Sequence, residues 1–120
     1  MNFEIRTTTR FRKESKRLSK KYPSLKNDLI NLADLLVKNP HSGTPLGKNF
    51  YKLRLKISSK GKGKSGGGRV ITHVDVTFIK EKTNSAIIYL VAVYDKSEMS
   101  TVSVSELKTL LKEIQQEFNI

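Results

Sequence analysis

Apolar residues recur along this chain with two different periods. From Asn2 to Thr7 a weak alternation, Phe3 and Ile5, predicts a short strand. Hydroxyls at Thr7 to Thr9 can then cap a helix. Phe11, Leu18 and Tyr22 fall on one helical face, with basic residues around the rest. Pro23 interrupts, because proline cannot donate within a helix and clashes with the preceding turn. Ser24 is placed to cap a second helix, whose apolar stripe is Leu25, Leu29, Leu32, Ala33, Leu36 and Val37. Asn39-Pro40 ends it. So short a join predicts an antiparallel helical hairpin.

The period then changes to two. His41 to Lys48 reads as a loop, with Pro45 and two glycines. Phe50 to Ile57 predicts a strand. Ser58 to Gly68 is only Gly, Ser and Lys and reads as a flexible loop. A second strand is expected from Arg69 to about Ile79, with Val70, Val74, Val76 and Phe78 on one face. Glu81 to Asn84 turns the chain. Ala86 to Tyr94 is nearly continuous apolar, the pattern of a central strand buried on both faces. Ser103 and Glu106 have capping-box spacing. Leu107, Leu110, Leu111, Ile114 and Phe118 mark a C-terminal amphipathic helix. The expected class is α+β, in the order β-α-α-β-β-β-α, with an antiparallel sheet and helices segregated on it.

With 120 residues, one domain spanning 1–120 is expected. At 37% hydrophobic the chain can bury one modest core. The formal net charge is +12. That points to nucleic acid or another acidic partner, through counterion release and steering. There are no cysteines, so no disulfide and no thiolate metal site. The two histidines, His41 and His73, are far apart, which disfavours a zinc enzyme. No metal or other cofactor is expected. No apolar run of about 18 residues suggests a membrane span, and no basic-then-apolar leader opens the chain. A cytoplasmic protein is expected.

The charge is unevenly placed. Between Asp34 and Asp75 there is no Asp or Glu, yet there are nine Lys or Arg. At its centre, Tyr51-Lys52-Leu53-Arg54-Leu55-Lys56-Ile57 alternates strictly. A strand there puts Lys52, Arg54 and Lys56 on one face and the apolar residues on the other. Cations spaced roughly 6–7 Å along a strand repel by about 2.5 kcal/mol at an effective dielectric of 20. Such a ladder binds phosphate, and like-charge crowding is one route to a lysine general base. The bland alternative is a solvated outer face. A second motif, Lys60-x-Lys62-x-Lys64-Ser-Gly-Gly-Gly-Arg69, precedes a strand rather than a helix, so it is not a Walker loop. It fits a mobile basic clamp on a nucleic-acid backbone, or a solvated hairpin loop. Arg69 begins a strand beside the first and can converge with Lys52 and Arg54. In a third motif, Tyr94-Asp95-Lys96-Ser97-Glu98, Lys96 can add a cation and Tyr94 can stack on a base; the alternative is a polar turn. His73 reads as structural and His41 as a surface residue. No paired carboxylates, Ser-His-Asp set or nucleophilic cysteine is recognisable.

The chain resembles the RelE/ParE superfamily of type II toxin–antitoxin toxins. The resemblance rests on element order, size and basicity, and on three segments: Tyr51 to Leu55, Gly63 to Ile71, and Val93 to Ser97. These look like the HigB/RelE-like branch, and the likeness spans about Phe3 to Phe118. It implies a RelE-like fold, an N-terminal helical hairpin on a twisted antiparallel sheet. It implies an endoribonuclease, an mRNA interferase that cuts mRNA in the ribosomal A site without a metal and is silenced by an antitoxin protein. On that mapping Lys52 is the base, Arg54 a phosphate ligand and Arg69 a transition-state stabiliser. Lys96 stands where the family has a late arginine, as electrostatic partner or acid. Val102 lies about where the family has a tyrosine. Lys56, Lys60, Lys62, Lys64 and Tyr94 are then expected to bind RNA. The same superfamily contains ParE-like inhibitors of DNA gyrase that cut no RNA, and a non-catalytic basic RNA-binding module is a third reading.

Overall fold

The strand expected to be buried on both faces organises the molecule. In the computed structural model, which describes residues 2–60, 67–75, 85–98 and 102–120, that strand is β5, Ser85–Asp95. Every residue from Ala86 to Asp95 is buried. The other elements are β1 (Asn2–Thr7), α1 (Thr9–Lys21), α2 (Leu25–Lys38), β2 (Thr44–Gly47), β3 (Phe50–Leu55), a 3-10 turn (Ser58–Lys60), β4 (Gly68–Asp75) and α3 (Val104–Phe118).

The fold is α+β: three helices and one five-stranded sheet in the order β1-β5-β4-β3-β2. The sheet is mixed rather than antiparallel throughout. β2 to β5 pair antiparallel in succession, but β1 runs parallel to β5. The reason is connectivity. The tight turn at Lys48 and Asn49 makes β2 and β3 antiparallel, whereas β1 is joined to the rest of the sheet through α1 and α2, and a long connection permits parallel pairing. A fifth strand, β2, occupies part of the segment expected as a loop. It is a four-residue edge containing Pro45, and left-handed Lys48 and Asn49 return the chain into β3.

The helices lie on both faces, not one. Phe11, Leu18 and Tyr22 of the α1 region and Leu25, Leu32 and Leu36 of α2 pack on Leu53, Leu55, Val70, Ile88, Leu90 and Val93. On the other face Leu107, Leu110 and Ile114 of α3 cover Phe50, Ile71, Ile87, Tyr89, Val91, Ala92 and Tyr94. Each such aliphatic side chain, fully buried, contributes about 1.5–3 kcal/mol. A bulge between Ile71 and Thr72 leaves one residue of β5, Val91, without a cross-strand partner. Val91 and Ala92 therefore both face α3, and the alternation resumes with Leu90 on the opposite side.

Local chemistry explains the element ends. Thr8 Oγ1 accepts the Phe11 N–H at 3.1 Å and caps α1. Ser24 stands at the start of α2 but does not cap it with its side chain. Its hydroxyl instead donates to Asp28 at 2.7 Å and accepts the Ser59 N–H at 2.8 Å. Asp28 also takes the Ser58 N–H and hydroxyl, at 2.9 and 2.8 Å. This capture explains why the strand expected to reach Ile57 ends at Leu55. It also makes the first part of the presumed flexible loop a packed turn. At the far end, Ser103 and Glu106 form the full capping box of α3. Val76 and Phe78, the turn at 81–84, and Lys62 and Lys64 lie outside the described residues. Among the described residues, no helix is long and apolar enough to cross a membrane.

Candidate nucleic-acid interface

β3 alternates as its sequence requires. Leu53 and Leu55 enter the core beneath the helical hairpin. Phe50, in phase with Lys52 and Arg54, lies on the α3 side. Register then brings distant residues together. Arg54 pairs across the ladder with Arg69, and Arg69 pairs with Tyr94 on β5. Two rungs along, on the same face, Lys52 pairs with Ile71, which pairs with Ala92. Lys52, Arg54 and Arg69 thus share one patch on the α3 face, with Tyr94 and Ala92 beside it. Arg54 is exposed, and Lys52 and Arg69 are half-buried.

Among the described residues none of these three cations forms an ion pair. The Arg69 side chain donates to the neighbouring Gly68 carbonyl, at 2.9 Å. Directly opposed like charges destabilise a sheet. Concentrating them here therefore costs the free fold something that a bound anion would return.

Of the other sequence candidates, Lys56, Lys60 and Lys96 lie beyond the ends of their strands, and Tyr94 adjoins the patch. Lys56 lies one residue past β3, exposed, and its charge reaches Asp28. Burial opposes ionisation of Asp28, but the Ser24 and Ser58 hydrogen bonds and Lys56 outweigh it and hold the carboxyl below its ordinary range. Lys60 is a structural cation. Its ammonium donates to Asp95 at 3.1 Å and sits 5.5 Å from the Tyr22 ring centroid. Lys96 is exposed just beyond β5, and its N–H extends the ladder by one bond to Gly67 O, at 3.1 Å. Tyr94 is only 4% exposed, so its ring face is not offered to solvent.

Two features the sequence did not announce hold the patch in place. One is Asp95, buried at the end of β5. It accepts from Tyr22 Oη at 2.6 Å, Lys60 Nζ at 3.1 Å and Ser97 N–H at 3.1 Å. Burial disfavours its charge, yet these donors hold the carboxyl far below the usual range. Glu98 accepts the Asp95 N–H at 2.9 Å and pairs with both Arg17 terminal nitrogens, tying the turn to α1. The other feature is Gly43, at φ +100°. A Cβ there would lie 2.5 Å from the Lys52 carbonyl oxygen. Only glycine lets β2 approach the backbone that carries Lys52.

β5 extends past the end of β1, and its open edge is completed by α1. Thr8 Oγ1 donates to Val91 O at 3.0 Å, and Glu14 Oε1 accepts the Val93 N–H at 3.0 Å. Arg10 grips Glu113 with two hydrogen bonds of 2.8 and 2.7 Å, and Thr9 binds Glu117. These bonds fix α3 against α1. Between them and the sheet a half-enclosed cavity of about 160 Å³ remains, reaching Tyr94. Among the described residues, no group of three or more His, Asp or Glu is arranged to hold a metal. No protein-family model matches the chain.

Proposed function

We propose that this protein is a toxin of a type II toxin–antitoxin system, an mRNA endonuclease of RelE/ParE type acting in the ribosomal A site. The observation that carries the reading is the Lys52–Arg54–Arg69 patch: three cations from two adjacent strands, on one face, with no ion pair among the described residues. The coarse α+β class, three helices and one five-stranded mixed sheet, is compatible with it.

The chemistry such a patch supports needs no bound metal. A base removes the proton of a ribose 2′-OH, and the oxygen attacks the adjacent phosphorus. The P–O5′ bond breaks, leaving a cyclic phosphate on one fragment, and the departing oxygen takes a proton. Negative charge gathers on the non-bridging oxygens, and fixed guanidinium groups stabilise it without reorganising. Lys52, half-buried on its strand, is assigned as the base. Arg54 and Arg69, opposed across one rung, are assigned to the phosphate, where a planar fork binds two oxygens at once. Lys96 is assigned to the leaving-group side. The partners are then mRNA on the ribosome and a cognate antitoxin, in the cytoplasm.

The test is expression without antitoxin. Growth arrest is expected for the wild type and its relief for the folded Lys52→Ala, Arg54→Ala double variant. Undiminished arrest by that variant contradicts the assignment. Arrest with intact mRNA and an induced DNA-damage response instead identifies a gyrase inhibitor.

A further inference from the structure

The cavity beside the cationic patch has the size, the faces and the unsatisfied edge of a base-binding site. Its volume is about 160 Å³. A cavity of about 150 Å³ admits a benzene ring, so one six-membered heterocycle fits. Ile71 and Ala92, neighbours across one rung, supply a flat apolar floor. Leu110 of α3 lies on the opposite wall. Such faces suit a planar ring; Val102 adds to the apolar lining, while Arg10, Glu14, Tyr94, Ser105, Glu106 and Thr109 place polar groups around it.

Tyr94 is the most informative of these groups. It is 4% exposed, and among the described residues its hydroxyl has no hydrogen-bond partner. A buried hydroxyl left unmatched costs about 1–3 kcal/mol, and buried polar atoms are nearly always paired. Tyr94 is paired across the ladder with Arg69, and Glu106, in the first turn of α3, lines the same cavity. Glu14 is the second group. Oε1 is committed to the Val93 N–H, so the carboxyl is oriented by β5 as well as by its own helix. Burial raises its proton affinity above the ordinary carboxylate range, against the pull of that N–H and of Arg10 and Arg17.

Position supplies the rest. Tyr94 is the direct cross-strand neighbour of Arg69, which is opposite Arg54. A strand whose phosphate rests on the two arginines has its adjoining base one strand away from the cavity mouth, a step of about 5 Å. A carboxylate reads an exocyclic amino group, as Glu and Asp do with N4 of cytosine. A phenol hydroxyl can donate to the ring nitrogen or carbonyl beside it.

We propose that this cavity is a nucleobase pocket that takes one unstacked cytosine of the bound RNA, with Glu14 reading its amino group and Tyr94 its acceptor edge. The proposal rests on RNA being the ligand of the cationic patch. It goes further in assigning base selection to α1 and β5, beside the proposed chemistry.

The test compares short single-stranded RNAs of cytidine only and uridine only, binding to the full chain. The wild type is expected to prefer the cytidine strand about tenfold, the worth of one well-placed hydrogen bond. Glu14→Gln keeps an oxygen for the Val93 N–H and turns an amide N–H toward the pocket, so the preference reverses toward uridine. Tyr94→Phe keeps the ring and weakens cytidine binding severalfold. Arg54→Ala weakens both strands equally, which reports on the cationic patch alone. Equal affinity for both strands, unchanged in Glu14→Gln and Tyr94→Phe, overturns the pocket while leaving the patch intact. If neither strand binds, the RNA reading fails. The pocket is then judged by titrating free cytidine and following backbone amides. Shifts centred on Ile71, Ala92 and Val93 support it, and their absence overturns it.

Discussion

Arg54 on β3 stands directly across the ladder from Arg69 on β4, and among the described residues neither has an acidic partner. Opposed like charges of this kind are a local burden on the sheet. Arg54→Glu should therefore stabilise the free protein by about 0.5 kcal/mol, the scale of an exposed cross-strand ion pair. The same change should abolish polyanion binding. Thermal melts alongside an RNA titration check both halves. A variant that binds RNA as before removes Arg54 from the site.

Cations of the patch and the cation of the 3-10 turn should separate in salt dependence. Removing one phosphate contact lowers the slope of log K against log salt by about 0.7 for a single strand. Arg54→Gln and Arg69→Gln should each do so. Lys60→Gln should leave the slope unchanged and instead lower stability, because Lys60 is the half-buried partner of Asp95. Affinities measured over a salt series, with melts in parallel, decide it.

Asp95 should dominate the acid sensitivity of the fold. Its carboxyl is held below the ordinary range, so the unfolded chain takes up the proton first. Its stabilisation is complete above the unfolded value, about pH 4, and is lost as pH falls below that. Asp28 acts in the same direction. Asp95→Asn should cost about 2–3 kcal/mol at neutral pH, by removing the buried charged acceptor shared by Tyr22, Lys60 and Ser97. It should also flatten the decline of stability below pH 4. Urea denaturation across a pH series measures both.

The two left-handed glycines around β2 should behave differently. Gly43 and Gly47 share φ +100°, but a Cβ at Gly43 would meet the Lys52 backbone at 2.5 Å while Gly47 faces open space. Gly47→Ala should cost about 1 kcal/mol, for the conformation alone. Gly43→Ala should cost at least about 2 kcal/mol, because it also pushes β2 from β3. Melting temperatures of the two variants test the difference.

Periodicity made much of this fold legible. Phe11, Leu18 and Leu32 announced the hairpin face, and the capping box at Ser103 and Glu106 announced α3. The unbroken apolar run of β5 announced burial on both faces. Strand direction was not written in any residue type. The parallel β1–β5 pair depends on how two helices carry the chain back. Nor did sequence spacing show what pairs with what. The stretch from Asp34 to Asp75 lacks acids, yet Lys60 meets Asp95 across 35 positions and Lys56 acts on Asp28. The convergence of Lys52, Arg54 and Arg69 was legible from alternation and adjacency. The cavity behind Tyr94 was not, because α1, β5 and α3 meet there from 10, 94 and 105 in the chain. Glu14 gave no signal beyond being one acid among basic neighbours on α1.

The most direct measurement of the central claim is cleavage of mRNA on programmed ribosomes by the purified chain, with a chelator present and the 5′ ends of the fragments mapped. The wild type should cut within the A-site codon. Lys52→Ala, Arg54→Ala and Arg69→Ala should each slow the cut by at least about a hundredfold, the scale of losing one general base or one charge-stabilising donor. Intact mRNA with the wild-type protein, or cleavage undiminished in those variants, would contradict the account.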